Sequence, residues 1–270
     1  MSETGAAPPQ AAAAGGRLPP TTYDAFLGGR FRLAQPRRGF RCGSDALLLA
    51  AAAPLPARLI VDLGAGPGAV GFAAAAACAA AAVVLVEREP APLALCAESL
   101  RLAGNEGIAA RITLVEGDVT APVAGWRPAV ATEAADVVLA NPPFFDPART
   151  QGSPDALRDR ARRRGPEGLS PWVESAGRLL RPDGALVLIA PAERLAELLT
   201  ALAAGFGGLL VYPIRAGPDA PATRVIVGGR KGSRAPLRLA AGLVTHDGPR
   251  YGAAAEAVLR HAARLPGFDL

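Results

Sequence analysis

Asn141-Pro142-Pro143-Phe144 follows a short β-rich run, Val137 to Ala140, and is the most specific chemical signal in the chain. An exocyclic amine conjugated to a purine is a poor nucleophile, because its lone pair is delocalised into the ring. The amide oxygen of Asn141 and the carbonyl of Pro142 can accept its two N–H bonds, pulling the nitrogen toward tetrahedral geometry and aiming the lone pair at an incoming methyl group. Consecutive prolines hold that carbonyl rigidly. Phe144 offers a face for an unstacked base, a contact worth about 1–3 kcal/mol. The competing reading of these four residues is a rigid turn after a strand. The chemistry needs no general base, since the amine can attack in line and lose its proton afterwards. His246 and His261 stand alone and read as surface or packing residues.

A methyl donor needs a cradle, and Val61-Asp62-Leu63-Gly64-Ala65-Gly66-Pro67-Gly68 reads as a strand entering a glycine-rich turn and then a helix. In open α/β sheets ligands bind at such carboxyl-end turns. Gly66-Pro67-Gly68-Ala69-Val70-Gly71 also satisfies GxGxxG with Glu87 about twenty residues on, as in a dinucleotide fold. Asp62 argues against that reading, since a carboxylate before the turn repels a pyrophosphate but accepts from the ammonium group of a cationic amino acid. That suits S-adenosylmethionine, which carries no phosphate. Glu87, at the end of the next strand, can take two ribose hydroxyls, and Asp118, at the end of the third, can accept from an adenine amino group. No metal site is expected.

The elements that must position these groups alternate from Leu59 onward. Strand-like runs at Leu59 to Asp62, Val83 to Val86, Ile112 to Glu116, Val137 to Ala140 and Leu186 to Ile189 are separated by helix-forming stretches at Ala69 to Ala80, Pro92 to Ala103 and Trp172 to Leu180, and Ala192 to Ala204 follows the fifth. Parallel strands need such crossovers. The pattern predicts a doubly wound, seven-stranded Rossmann-like α/β sheet, closed by a terminal antiparallel pair at Leu209 to Tyr212 and Arg224 to Val227. Residues 1–20 read as a disordered tail, 21–54 as an N-terminal lid segment with an apolar helix from Asp45 to Ala53, and 55–270 as the catalytic domain. Ala69 to Val86 is long and apolar enough to raise the question of a membrane span. Its alanine content and the flanking Glu87, Arg88 and Glu89 make it a buried helix and strand, so no membrane association is expected.

Half of the 270 residues are hydrophobic, the net charge is +5, and all but one of the basic residues are arginine. A polyanionic partner fits this balance, though arginine, alanine and glycine richness also follows from GC-rich coding. Three cysteines, Cys42, Cys78 and Cys96, without CxxC spacing indicate neither a disulfide framework nor a zinc site and fit a reducing cytoplasm. The polar stretch from Asp146 to Ser170, with Arg158, Arg160, Arg162, Arg163 and Arg164, reads as a functional or solvated loop.

Asp62 to Gly68, Glu87, Asp118 and Asn141 to Phe144 together resemble the class I methyltransferases that modify exocyclic amines. Leu33-Ala34-Gln35, Gly39 to Ala50, Lys231 to Leu237 and Leu243 to Asp247 are similar to the bacterial tRNA adenine-N6 methyltransferase group, which modifies the adenine beside the valine anticodon. The resemblance covers nearly everything from Tyr23 onward. It implies cofactor binding by Asp62, Gly64, Gly66, Glu87 and Asp118, with Asn141 touching both ligands. It also implies amine positioning by Asn141, Pro142, Pro143 and Phe144, and a tRNA substrate. The Asn-Pro-Pro-aromatic motif also occurs in enzymes that methylate release-factor glutamine, DNA adenine or RNA guanine, so it fixes the type of acceptor and not its identity. The rival readings are a protein glutamine methyltransferase, a non-catalytic RNA-binding protein and a dinucleotide oxidoreductase. Arg41 and Asp45 read as a salt-bridged lid in preference to cofactor contacts. Arg30, Arg32, Arg37 and Arg38 are the second candidate RNA surface after the Arg158 to Arg164 run.

Overall fold

The structure, a computed structural model, describes residues 20–38, 41–121, 126, 130–143 and 168–270. Phe144, the Arg158 to Arg164 run and residues 1–19 lie outside the described residues.

The strands β3 (Leu59–Leu63), β4 (Ala82–Glu87), β5 (Ile112–Glu116), β6 (Ala135–Ala140), β7 (Leu180–Pro191), β8 (Phe206–Arg215) and β9 (Ala222–Lys231) form the body of one sheet in the order β8-β9-β7-β6-β3-β4-β5. All neighbours are parallel except β9, which runs antiparallel between β7 and β8. Successive residues of a strand face opposite sides, and two cores follow from that alternation. Ile60, Leu85, Leu139 and Val187 face one side, with Val61, Val84, Val138 and Leu186 on the other. The first side is covered by α1 (Ser44–Ala51), α2 (Ala69–Ala77), α3 (Pro90–Leu100), α4 (Glu106–Ala109) and α7 (Ala253–His261). The second carries α5 (Ser170–Leu179) and α6 (Leu195–Leu202). Among the described residues no helix is long and apolar enough to cross a membrane.

The N-terminal segment is more structured than its sequence suggests. Thr21–Phe26 (β1) and Phe31–Pro36 (β2) form an antiparallel hairpin turned at Leu27-Gly28-Gly29-Arg30, where both glycines have positive φ. Phe31 and Leu33 are buried, with Phe31 against Phe72 of α2. Asn105 fixes the hairpin by accepting from the Arg32 amide at 2.9 Å and donating to its carbonyl at 2.7 Å, and the Ser99 hydroxyl accepts from the Ala34 amide. The predicted fifth strand is longer than expected, because residues 181–184 bulge out where Ala135 pairs with Leu180 and Val137 with Ala185. Two short strands, β10 (Arg238–Leu239) and β11 (Leu243–Val244), pair with the outer edge of β8.

Candidate active site

The sheet order reverses between β3 and β6, and a cavity of about 520 Å³ lies outside the carboxyl ends of the strands at that switch point. Its wall comprises Gly64, Gly66 and Pro67 after β3, Glu87 at the end of β4, Gly117 and Val119 after β5, and Asn141, Pro142 and Pro143 after β6. Four strand ends thus converge, as the sequence pattern requires. The N-terminal segment also lines it through Pro36, Arg38, Arg41, Ser44 and Asp45, while α5 and β9 add Trp172 and Arg224.

The glycine turn is held to β4 by the Gly64 and Ala65 amides, both donating to the Val86 carbonyl at 2.9 Å. Gly64 has φ +74°, and a Cβ there would lie 2.5 Å from Cζ3 of Trp172. Left-handed backbone costs a non-glycine residue about 1–2 kcal/mol and overpacking about 1–3 kcal/mol. Gly64→Ala is therefore expected to destabilise the protein by about 2–5 kcal/mol in urea unfolding, with part of the loss recovered when Trp172 is also changed to Leu. A Gly64→Ala protein as stable as the wild type would show that the indole does not confine this turn.

The acids predicted at three strand ends divide into two kinds. Glu87 lies on the cavity wall, with Oε2 accepting from the Gly66 amide and Oε1 from the Glu89 amide, both at 2.8 Å. Burial raises its carboxyl above the ordinary range, against the lowering effect of those amides. Asp62 is only 1% exposed and lies behind the wall, its Oδ2 accepting from the Gly71 amide at 2.8 Å. It therefore ties the end of β3 to the first turn of α2. The Asp118 carboxylate turns from the cavity to the amide and hydroxyl of Thr120, both at 2.8 Å, and to Arg88 at 3.4 Å. Burial raises its pKa, but these partners outweigh it and hold the group below the ordinary range. The structure brings Gly64, Gly66, Glu87, Asn141, Pro142 and Pro143 to one wall. It leaves the Asp62 and Asp118 carboxylates outside that wall.

Burial, reinforced by the nearby Glu87 charge and only partly opposed by the Gly71 amide, pushes Asp62 up to about 7. The folded state then holds a proton that the unfolded chain, titrating near 4, has released. Stability from this group consequently falls as pH rises from about 4 to about 7 and stays low above that, by on the order of a few kcal/mol. Thermal unfolding across this window should show a smaller loss in Asp62→Asn than in wild type. Parallel curves would mean that Asp62 stays ionised throughout.

Two side chains that the sequence reading passed over brace this wall. Trp172 and Ser175 share one face of α5, the first against Gly64 and the second donating its hydroxyl to the Val119 carbonyl. The chain has two tryptophans, and the other, Trp126, packs on Gly117, where a Cβ would meet its Nε1 at 2.6 Å. Two indoles against two wall glycines in a chain that is 5% aromatic were a readable signal. Arg224 was seen only as the start of a strand, yet it lines the cavity and pairs there with Asp45 at 2.9 Å. Arg41 pairs with Asp24 at 2.8 Å, so Arg41 and Asp45, the two residues expected in a salt-bridged lid, are both ion-paired, to Asp24 and Arg224. Neither histidine lines the cavity, and His246 packs on Tyr251 with ring centroids 4.8 Å apart.

A seven-stranded sheet of this order, with a glycine turn and a wall carboxylate at its switch point, is the architecture of methyltransferases that use S-adenosylmethionine, and this chain is an enzyme of that class. It matches the methyltransferase small domain family over residues 37–212 and belongs to that family. A tRNA1(Val) (adenine(37)-N6)-methyltransferase of Porphyromonas gingivalis is 31% identical over 181 residues, covering 65% of this chain and 68% of the relative. A release factor glutamine methyltransferase of Moorella thermoacetica is 34% identical over 141 residues, which cover 50% of this chain but only 46% of that enzyme. Among solved structures, a predicted O-methyltransferase from Agrobacterium tumefaciens superposes with a TM-score of 0.65 at 30% identity, covering 82% of this chain and 96% of the other. A Thermus thermophilus 16S rRNA N2 G1207 methyltransferase, in complex with AdoMet and guanosine, shares the fold at a TM-score of 0.51 and 19% identity, with coverage of 78% and 50%.

Proposed function

We propose that this enzyme methylates the N6 amine of an adenine in tRNA. The observation that carries the reading is the position of Asn141, Pro142 and Pro143 on the same cavity wall as Gly64, Gly66 and Glu87. Bound S-adenosylmethionine supplies an electrophilic methyl group on a positively charged sulfur. Glu87 is already oriented by two backbone amides and retains lone pairs for the ribose hydroxyls. The glycine turn admits the ligand closely to its backbone, and Asp62 holds that turn to α2 through the Gly71 amide. Asp118 turns toward the adenine of the cofactor if it exchanges Arg88 for that partner. Asn141 and the Pro142 carbonyl accept the two N–H bonds of the acceptor amine, and Phe144 stacks on the base.

The tRNA acceptor is supported by the similarity to tRNA1(Val) (adenine(37)-N6)-methyltransferases and by the arginine-rich composition. The similarity to a release factor glutamine methyltransferase favours a second reading, transfer to a glutamine side-chain nitrogen in a protein. Both amines fit the same pair of acceptors. Incubating the enzyme with labelled S-adenosylmethionine and either a tRNA1(Val) transcript or a release factor separates them, with N6-methyladenosine in the nuclease digest as the expected product. Label confined to the release factor would replace the first reading with the second.

A further inference from the structure

Of the four arginines among the described residues that line the cavity, three are engaged by carboxylates, Arg41 by Asp24, Arg88 by Asp118 and Glu89, and Arg224 by Asp45. Arg38 is exposed and has no carboxylate partner among the described residues. Among the described residues that line the cavity, its charge is the one no carboxylate compensates. S-adenosylmethionine is cationic overall, its sulfonium and ammonium outnumbering its single carboxylate, so a further exposed guanidinium at the mouth is on balance unfavourable for it. The group suits a second, anionic ligand entering by the same mouth. A base that reaches Asn141 lies beside Pro142 and Pro143, which offer a phosphate no donor, so its phosphodiester must stay outside. Arg38 stands at that rim, and a guanidinium fork can take two phosphate oxygens at once.

We infer that Arg38 binds a backbone phosphate next to the nucleotide whose base occupies the cavity, making the end of the β1–β2 hairpin part of the RNA-binding surface. This inference rests on the tRNA reading above. Arg30, grouped with Arg38 as a candidate RNA surface in the sequence, is separated from it by the fold and provides a control of equal charge. It is exposed at the opposite end of the hairpin, six residues of β2 away, or about 20 Å, and has no ion pair among the described residues.

Transfer to the tRNA1(Val) transcript is measured first with the wild-type enzyme, and transcript affinity is then measured against salt for Arg38→Gln and Arg30→Gln. The expected result is a five- to twenty-fold weaker affinity for Arg38→Gln, as for loss of roughly one charge-assisted contact. The slope of log affinity against log salt should be shallower by about 0.7–0.9, and Arg30→Gln should change both quantities much less. Wild-type transfer to the transcript with equal affinities and slopes in the two variants would overturn the Arg38 assignment alone. Absence of wild-type transfer to the transcript would overturn the tRNA reading and this inference with it.

Discussion

Replacing Asn141 with alanine is expected to lower kcat for methyl transfer by about 10²–10³-fold, the loss typical of one preorganised group that stabilises a transition state. The amide oxygen accepts from an amine that becomes tetrahedral and positive only as the methyl moves, so its contribution is concentrated there and not in ground-state binding. Pro142 and Pro143 keep the remaining carbonyl in place, which is why residual activity should survive. Affinity for S-adenosylhomocysteine should change by less than about threefold, because the glycine turn and Glu87 are untouched. Single-turnover transfer together with calorimetry separates the two quantities. A variant that loses cofactor affinity and activity in the same proportion would place Asn141 with the donor and not with the acceptor.

The converse behaviour is expected of Glu87. Glu87→Ala should weaken S-adenosylhomocysteine binding by about 10²-fold or more, because hydrogen bonds donated to a charged carboxylate are worth about 1.5–3 kcal/mol each and the two from the ribose hydroxyls are lost. The same change strips the Gly66 and Glu89 amides of their acceptor, so part of the loss comes through the turn. Glu87→Gln distinguishes the contributions. Its oxygen can satisfy one of the two amides, but its NH₂ group then faces the other donor, so the turn should loosen less than in the alanine variant while ribose binding remains impaired. Calorimetry on both variants, with thermal unfolding as the check on the turn, tests this assignment. Cofactor affinity equal to wild type in Glu87→Ala would remove Glu87 from the binding site.

The sheet was legible because buried parallel strands are short apolar runs bounded by polar or glycine-rich ends, as at Val83 to Val86 and Val137 to Ala140. The hairpin was not read, although Gly28-Gly29 between the alternating runs Tyr23 to Phe26 and Phe31 to Gln35 is a hairpin signal. Within the expected lid segment only the helix from Asp45 to Ala53 was assigned, whereas Arg30 and Arg32 occupy the exposed face of a ribbon whose other face holds Phe31 and Leu33. The wall of the site was legible in the same uneven way. Gly64, Gly66, Glu87 and Asn141 follow from strand ends, whose position in the chain fixes their position in space. The inward turn of Asp62 and the outward turn of Asp118 depend on the Gly71 amide and on Thr120, choices made by local hydrogen bonding after the fold is set. Asp45 and Arg224 meet over 179 residues of sequence separation, and no periodicity announces such a pair.

The outer edge of β8 has a further meaning for how this protein behaves in a crowded solution. A ten-residue strand at the end of a sheet offers a row of unpaired amides and carbonyls on which another chain can add itself. Here Arg238–Leu239 and Leu243–Val244 each lie parallel to part of that edge, opposite Leu210–Val211 and Ile214–Arg215. Each cover is only two residues long, the first followed by irregular chain and the second by the short hairpin of His246–Asp247 and Arg250–Tyr251, so neither presents a long straight edge of its own. The stretch after the last long strand thereby works as a guard against self-association, ending sheet growth within the molecule.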